Sequence, residues 1–170
     1  MQTHNVSTVL AGILVLSLSL PAATAEKTSG VNKEYQMLSE TSTTVPDKPD
    51  HVVKQFTSLH KTVCQGGVGS CALGESWASE VAQQDIIGTD STIRGYGTNH
   101  YQNGDLGYYS FEGAAKTTMK GGGDFETAAQ GKYTELGGTG KFKTVKGSGT
   151  YTCKFTPKSG QCDWQGDEEM

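Results

Sequence analysis

The chain has 170 residues, which is enough for one domain of ordinary size. Its 23 Gly follow no Gly-X-Y repeat and stand beside only four Pro, which excludes a collagen. So much Gly also argues against a helix bundle, because Gly is costly inside helices. The net charge of −4 at pH 7 gives no basic surface for nucleic acid, so no nucleic-acid partner is expected.

The N-terminal segment predicts export. Residues 9–20 (VLAGILVLSLSL) form an apolar run of signal-peptide length, whereas a membrane-spanning helix needs about 20 apolar residues. Ala23 and Ala25 are small enough for signal peptidase, so we expect residues 1–25 to be a signal peptide. No Lys or Arg precedes the run, which leaves an uncleaved anchor as the alternative. The predicted location is secreted or periplasmic.

Export gives the four cysteines a structural meaning. In an oxidising compartment Cys64, Cys71, Cys153 and Cys162 are expected to form disulfides. Three connectivities are possible, and we favour the neighbours, Cys64 with Cys71 and Cys153 with Cys162. Because the chain has no C-x-x-C motif and its histidines show no ligand spacing, neither a metal site nor a cofactor is predicted.

The rest of the chain reads as one β domain. Residues 26–33 are polar and are expected to be a flexible N-terminus, followed by a single domain over residues 34–170. From residue 35 onward, apolar and polar residues alternate with a period of two, which indicates strands. Turn residues separate the candidates, and Gly is expected at these corners. The eight candidate strands span residues 35–45, 51–63, 76–87, 92–101, 107–118, 124–134, 148–155 and 162–167.

The last two strands permit a prediction of register. If Cys153 faces Cys162 across an antiparallel pair, Tyr151 lies opposite Trp164 on the same face. Phe155 also falls on that face, while polar residues occupy the other. One apolar face and one solvated face are typical of a half-buried antiparallel pair, so this pattern favours a Cys153–Cys162 disulfide.

A Gly-rich segment near the C-terminus carries a family resemblance. Residues 136–149 (LGGTGKFKTVKGSG) resemble the G-G-T-G-[KR]-F-x-x-[AIV]-x-G signature of the dirigent and allene oxide cyclase superfamily, through Gly137-Gly138-Thr139-Gly140-Lys141-Phe142. Exported bacterial members of unknown function look most similar. The resemblance implies an all-β fold, an eight-stranded antiparallel barrel, with a short helical turn near residues 140–146 that places Phe142 beneath the barrel.

The resemblance does not identify catalytic residues in this chain. The catalytic residues of the plant enzymes lie in upstream strands, where this chain has no matching motif. Family members are often trimers or dimers, so an oligomer is compatible with the resemblance.

Polar and aromatic residues in the central strands form a candidate ligand pocket. Its members are Arg94, Tyr96, His100, Tyr109 and Glu112. Such a set would suit an oxygenated aromatic or polar lipid ligand, or would assist a proton transfer. The alternative is that Arg94 and His100 lie on the solvated exterior, where charged side chains usually are.

Two further sets of side chains give weaker indications of a functional site than this candidate pocket does. A Ser-His-Asp set can be drawn from Ser76, His60 and Asp85, but the chain has no G-x-S-x-G nucleophile elbow. Asp163 and residues 167–169 form an acidic cluster, which we interpret as solvated charge near the C-terminus. Neither set predicts a catalytic or metal site.

The sequence leaves two functions open. We expect a barrel that binds a small apolar or aromatic molecule without transforming it. The alternative is a cyclase or isomerase, which predicts an apolar cavity holding an inward carboxylate or Tyr with a perturbed pKa. An outer-membrane barrel is disfavoured because no strand carries the outward apolar band, so no membrane insertion is expected after signal cleavage.

Overall fold

The computed structural model describes residues 25–67 and 69–169. The predicted signal peptide lies almost wholly outside the described residues and stays a prediction. Most described residues lie in β-strands. In this part of the chain no helix has both the length and the apolar character needed to cross a membrane.

The described residues form eight strands that follow one another, and all eight predicted strands are confirmed. Short 3₁₀ turns at Gly69–Leu73 and Gly140–Phe142 interrupt the series, one between β2 and β3 and the other between β6 and β7. The strands are β1 (Glu26–Thr44), β2 (His51–Gly66), β3 (Ser76–Ile87), β4 (Asp90–Tyr101), β5 (Leu106–Gly121), β6 (Asp124–Gly138), β7 (Lys146–Thr156) and β8 (Ser159–Glu169).

The strands form a closed antiparallel barrel. Each strand pairs with the next one along the chain, and β8 returns to pair with β1. The predicted all-β, eight-stranded antiparallel fold is therefore confirmed. Closure satisfies the backbone hydrogen bonds that an open sheet would leave at its two edges.

The first strand begins earlier than its sequence suggested. Residues 26–33 are not a flexible tail: Glu26–Asn32 pair with β8, and Ser29–Lys33 pair with β2. Their polar composition concealed a strand, because its backbone hydrogen bonds to two neighbours provide the stability that apolar side chains would otherwise supply. Without this segment β2 and β8 would face each other across an unpaired gap.

Glycines make room for aromatic rings inside the barrel. A Cβ atom placed on Gly97 would lie 2.1 Å from Cζ of Tyr109, so the ring occupies the space that a side chain would fill. Gly is present at the corners, as expected, and other glycines lie within strands. The same arrangement places Phe111 over Gly95, Tyr151 over Gly131, Trp164 over Gly30 and Tyr133 over Gly149.

The predicted register of the last hairpin is confirmed. Cys153 pairs with Cys162, and Tyr151 pairs with Trp164. Both favoured disulfides are present, with Cα–Cα distances of 4.0 Å for Cys153–Cys162 and 5.4 Å for Cys64–Cys71. One disulfide joins two strands of the barrel wall, and the other closes the loop between β2 and β3.

One end of the barrel is closed by the turn between β6 and β7. The expected helical turn is a 3₁₀ turn over Gly140–Phe142, and Phe142 is 1% exposed. Thr139 ties the turn to β5, because its backbone N–H donates to the Leu106 carbonyl at 2.8 Å and its hydroxyl accepts from the Leu106 N–H at 2.9 Å. This turn holds an aromatic side chain beneath the barrel.

The opposite end is open. Pairing between β1 and β8 ends at Asn32, and from there β1 pairs only with β2. The departure coincides with an irregular step near Glu34, which has a φ of 58°. Beyond it Met37 is 53% exposed, and Met119 on β5 is 66% exposed. The barrel therefore has a mouth at the end that carries the β1–β2 and β5–β6 turns.

Candidate functional site

A cavity of about 670 Å³ fills the interior of the barrel. It extends from the exposed side chains of Met37 and Met119 at the mouth towards Tyr101 and Glu135 near the closed end. Its wall is rich in aromatic side chains, namely Tyr35, Phe56, Tyr101, Tyr109, Phe111, Phe125, Tyr133, Tyr151, Phe155 and Trp164.

Glu80 is the central polar group of this wall. It lies on the inward face of β3, with a side chain that is 12% exposed. The Tyr109 hydroxyl donates to its Oε1 at 2.9 Å, and the Ser58 hydroxyl donates to its Oε2 at 3.2 Å. Burial raises the pKa of Glu80, while the two hydrogen bonds act in the opposite direction.

Tyr109 holds its position through packing as well as hydrogen bonding. Its ring lies over Gly97, and its hydroxyl reaches Glu80 across the inner surface of the barrel. Burial raises the pKa of Tyr109 well above its ordinary value, and the negative charge of Glu80 raises it further. Tyr109 is therefore a stable donor to the carboxylate at any physiological pH.

His60 lies behind Glu80 and is fully buried. Its Nδ1 is 3.7 Å from Oε2 of Glu80, and its ring packs against Tyr35 at a centroid distance of 4.7 Å. Among the described residues, neither ring nitrogen has a hydrogen-bond partner. Burial lowers the pKa of His60 to about 4, so the imidazole is neutral at pH 7.

A second carboxyl group lies nearer the closed end. Glu135 on β6 lines the cavity, and Glu168 on β8 is 4% exposed. Burial, and then the charge of Glu168, raise the pKa of Glu135 to about 8. The acidic C-terminal cluster is thus not wholly solvated, because Glu168 turns inward while Asp167 binds Lys27 at 3.0 Å on the surface.

Four of the five predicted pocket residues do not line the cavity. Tyr109 does, but Arg94, Tyr96, His100 and Glu112 lie on the outer face, so their assignment to the pocket was wrong. The inward residues of β4 include Ile93, Asn99 and Tyr101, and alternation along the strand turns the intervening residues outward. The alternative interpretation of Arg94 and His100, as exterior residues, is the correct one.

Arg94 and His100, which do not line the cavity, have partners on the outer surface. Arg94 is the cross-strand neighbour of both Gln83 and Glu112, and its Nη2 donates to Oε1 of Gln83 at 3.3 Å. Nε2 of His100 lies 3.1 Å from Oγ of Ser79. Tyr96 is 68% exposed.

The Ser-His-Asp set drawn from the sequence is not assembled. His60 points inward, whereas Asp85 lies on the outer surface and accepts a hydrogen bond at 2.9 Å from Nε2 of His51. The other ring nitrogen of His51 contacts Asp47 in the β1–β2 turn. Ser76 instead donates to Oδ1 of Asn99 at 3.5 Å.

Sequence reasoning missed the polar centre of the cavity. Glu80 and His60 were not assigned to the pocket, although one signal was available in β3. Ser76, Ala78, Glu80 and Ala82 form a face of small residues with a single acid, which is unusual for a solvated face. Recognising that face as the interior needed the pairing of β3 with its neighbours.

The cavity residues do not form a metal centre. In residues 25–67 and 69–169, no group of three or more His, Cys, Asp or Glu side chains is arranged to hold a metal ion.

Neither the models of known protein families nor the curated proteins match this chain. The functional proposal therefore rests on the geometry of the cavity.

Proposed function

We propose that this protein binds a small apolar or aromatic molecule inside its barrel and does not transform it. The observation that supports this proposal is the cavity of about 670 Å³, whose wall is rich in aromatic side chains and exposes more apolar than polar surface. Ligand sites typically enclose about 300–1,000 Å³ and combine an apolar lining with a few polar groups that orient the ligand. Burying a ligand there would yield about 25 cal/mol for each Å² of apolar surface removed from water.

The mouth supports entry of such a ligand. Met37 and Met119 are exposed at the rim and also line the cavity. Methionine side chains are flexible and polarisable, so they adapt to ligands of different shape. Glu80, Tyr109 and Ser58 would then orient a polar group of the ligand deeper inside.

A fluorescent probe tests the binding function. N-phenyl-1-naphthylamine is apolar and uncharged at neutral pH, and its emission rises when it leaves water. We expect saturable binding to the wild-type protein, and loss of binding in Ala115→Trp, because Ala115 lines the cavity. Ala114→Trp is the matched control, because Ala114 is the neighbouring residue and is exposed. Equal binding by the two variants, or no binding by the wild type, would refute the proposal.

We also propose that the protein acts outside the cytoplasm, as a secreted or periplasmic protein. Two observations support this location: the signal-like residues 1–25 and the two disulfides. Mass spectrometry of protein expressed from the full-length gene is the test. The expected exported product begins at Glu26 and has lost four hydrogens to disulfide formation. An uncleaved product with four free thiols would contradict the proposal.

We also propose that this protein is related to the dirigent and allene oxide cyclase superfamily. The Gly137–Phe142 motif supports it, because the motif forms the turn between two barrel strands and buries Phe142 as the resemblance implied. The closed barrel of eight antiparallel strands is compatible with the same relationship.

A cyclase or isomerase is the second candidate, and Glu80 is the observation that favours it. A buried carboxyl group with a raised pKa, hydrogen-bonded to a tyrosine inside a cavity, is suited to proton transfer. Deuterium exchange into a bound ketone, followed by NMR in heavy water, is the test. An enzyme would show exchange that Glu80→Gln abolishes, while probe binding persists. Binding without exchange favours the non-catalytic function.

A further inference from the structure

Carboxyl groups line the deep part of the cavity, whereas the lysines that line it lie towards the mouth. Among the described residues, its charged lining consists of Glu40, Lys54, Glu80, Glu135 and Lys158. Lys54 lies near the mouth and binds Glu40 at 2.9 Å, and Lys158 lies in the turn between β7 and β8. Glu80 and Glu135 are therefore the charged groups that a ligand would meet inside the barrel.

His60 does not neutralise Glu80. The Nδ1 atom of His60 is 3.7 Å from Oε2 of Glu80, beyond hydrogen-bonding distance. Both ring nitrogens are buried without a partner, and burial keeps the imidazole neutral at pH 7. A buried carboxylate without a counter-ion is costly, so the folded protein gains if a cation arrives beside it.

Tyrosine side chains lie near this carboxyl group: Tyr109 donates a hydrogen bond to it, and Tyr35 packs against His60 beside it. Tyr35, Tyr109 and Tyr151 all lie close enough to Glu80 for its charge to raise their pKa values, after the larger effect of burial. The Tyr151 hydroxyl is buried and has no hydrogen-bond partner among the described residues. Aromatic faces attract cations, and an unpaired hydroxyl oxygen can accept a hydrogen bond.

We propose that the cavity selects organic cations, namely primary amines carried on an aromatic or alkyl frame, and binds their ammonium group against Glu80. The inference rests on the proposed function, because it names the class of small molecule that the cavity takes. A primary ammonium has three N–H donors and no acceptor, which suits a pocket whose central group is a carboxylate. The hydrocarbon frame packs among the aromatic rings of the wall.

A matched ligand series tests the choice of charge. The probes are 4-phenylbutylamine, 4-phenylbutan-1-ol and 4-phenylbutanoate, which share one frame and differ in the head group. Isothermal titration at pH 7 should give the amine a dissociation constant at least about tenfold lower than that of the alcohol. The carboxylate should bind most weakly, because Glu80 and Glu135 repel it.

Variants of the carboxyl groups test the position of the ammonium. Glu80→Gln keeps the size of the side chain and removes its charge, so we expect it to weaken amine binding by about tenfold and alcohol binding much less. Glu112→Gln is the control, because Glu112 lies on the outer face and should change neither affinity. Circular dichroism and thermal unfolding establish that each variant is folded.

The outcomes separate this inference from the proposed function. If the alcohol and the amine bind equally well, selection of cations is refuted while ligand binding stands. If neither these ligands nor N-phenyl-1-naphthylamine binds the wild type, both proposals fail. Preference for the amine that persists unchanged in a folded Glu80→Gln variant would refute Glu80 as the ammonium site.

Discussion

The ring of Phe142 stacks on the ring of Tyr101, with centroids 4.3 Å apart and planes inclined by 13°. Tyr101 is the last residue of β4 and lines the cavity, whereas Phe142 belongs to the turn between β6 and β7. The stack therefore connects the turn at the closed end of the barrel with a residue that lines the cavity near that end. It anchors the 3₁₀ turn between β6 and β7 to the end of β4.

Removing this stack should destabilise the whole barrel. Phe142→Ala would leave a buried void, so we expect the free energy of unfolding to fall by about 3–5 kcal/mol. Urea denaturation followed by circular dichroism measures the loss. Lys141→Ala is the control, because the adjacent Lys141 is exposed and its truncation should change the stability little. A Phe142→Ala variant as stable as the wild type would show that the turn does not hold the end closed.

Gly97 should be intolerant of even one methyl group. A Cβ there would lie 2.1 Å from Cζ of Tyr109, so Gly97→Ala must displace the ring and break its hydrogen bond to Glu80. We expect a loss of about 1–3 kcal/mol in urea denaturation, together with altered amine binding. Gly66→Ala is the matched control, because its Cβ would meet Oγ of Ser29 at an ordinary 3.5 Å. Equal stability of the two variants would argue against the ring position.

His51 should make the free energy of unfolding depend on pH above about 6.5. Its hydrogen bond to Asp47, and then that to Asp85, raise its pKa above the ordinary 6.5. Protonated His51 therefore contributes stability fully below about pH 6.5, and the contribution is lost as the pH rises through the raised pKa. The difference in unfolding free energy between wild type and His51→Gln should shrink across that window.

A second outer-face histidine provides the control for this measurement. His100→Gln removes an imidazole that contacts Ser79 and neither of these two aspartates. This variant therefore controls for the loss of an imidazole from the outer face without loss of the contacts to Asp47 and Asp85. A His51→Gln difference that stays constant between pH 5.5 and pH 8.5 would contradict the role of the charged imidazole.

Ionisation of the buried Glu135 should lower the free energy of unfolding as the pH rises. Its pKa is about 8 in the folded protein and about 4.5 when unfolded, so the folded state binds the extra proton between these values. Stability is therefore lost as the pH rises from about 4.5 to 8. Glu135→Gln should remove this loss and exceed the wild type by about 1–3 kcal/mol at pH 8. A Glu135→Gln variant that matches the wild type at pH 8 would contradict a buried, protonated Glu135.

Much of the local structure could be predicted because it depends on neighbouring residues. Alternation and turn residues located all eight strands, and the Cys153–Cys162 spacing predicted the register that pairs Tyr151 with Trp164. The Gly137–Phe142 motif likewise predicted a short helical turn with a buried ring. These features arise from backbone geometry and contacts within one hairpin or one turn.

The site could not be predicted in the same way. Alternation shows that Arg94 and Ile93 lie on opposite faces, but it does not say which face turns inward. The polar Arg94, Tyr96 and His100 looked like a site, whereas the interior face of β4 holds Asn99 and Tyr101. Glu80, the single acid on the inward face of β3, could not be identified as a site residue from the sequence, because its partners Ser58 and Tyr109 are distant in sequence.

The sequence alone determined that this protein is an all-β chain of eight strands with two paired sets of neighbouring cysteines. Only the curvature of the paired strands into a closed barrel decided which face of each strand became the interior, because alternation defines two faces and does not say which one turns inward. Pairing between successive strands brought Ser58, Glu80 and Tyr109 together from β2, β3 and β5. In the same way, pairing of β7 with β6 and with β8 placed Glu168 near Glu135. Contacts within one hairpin can be inferred from spacing, whereas a contact that spans several strands, such as that of Glu80 with Tyr109, exists only after those strands have paired in register.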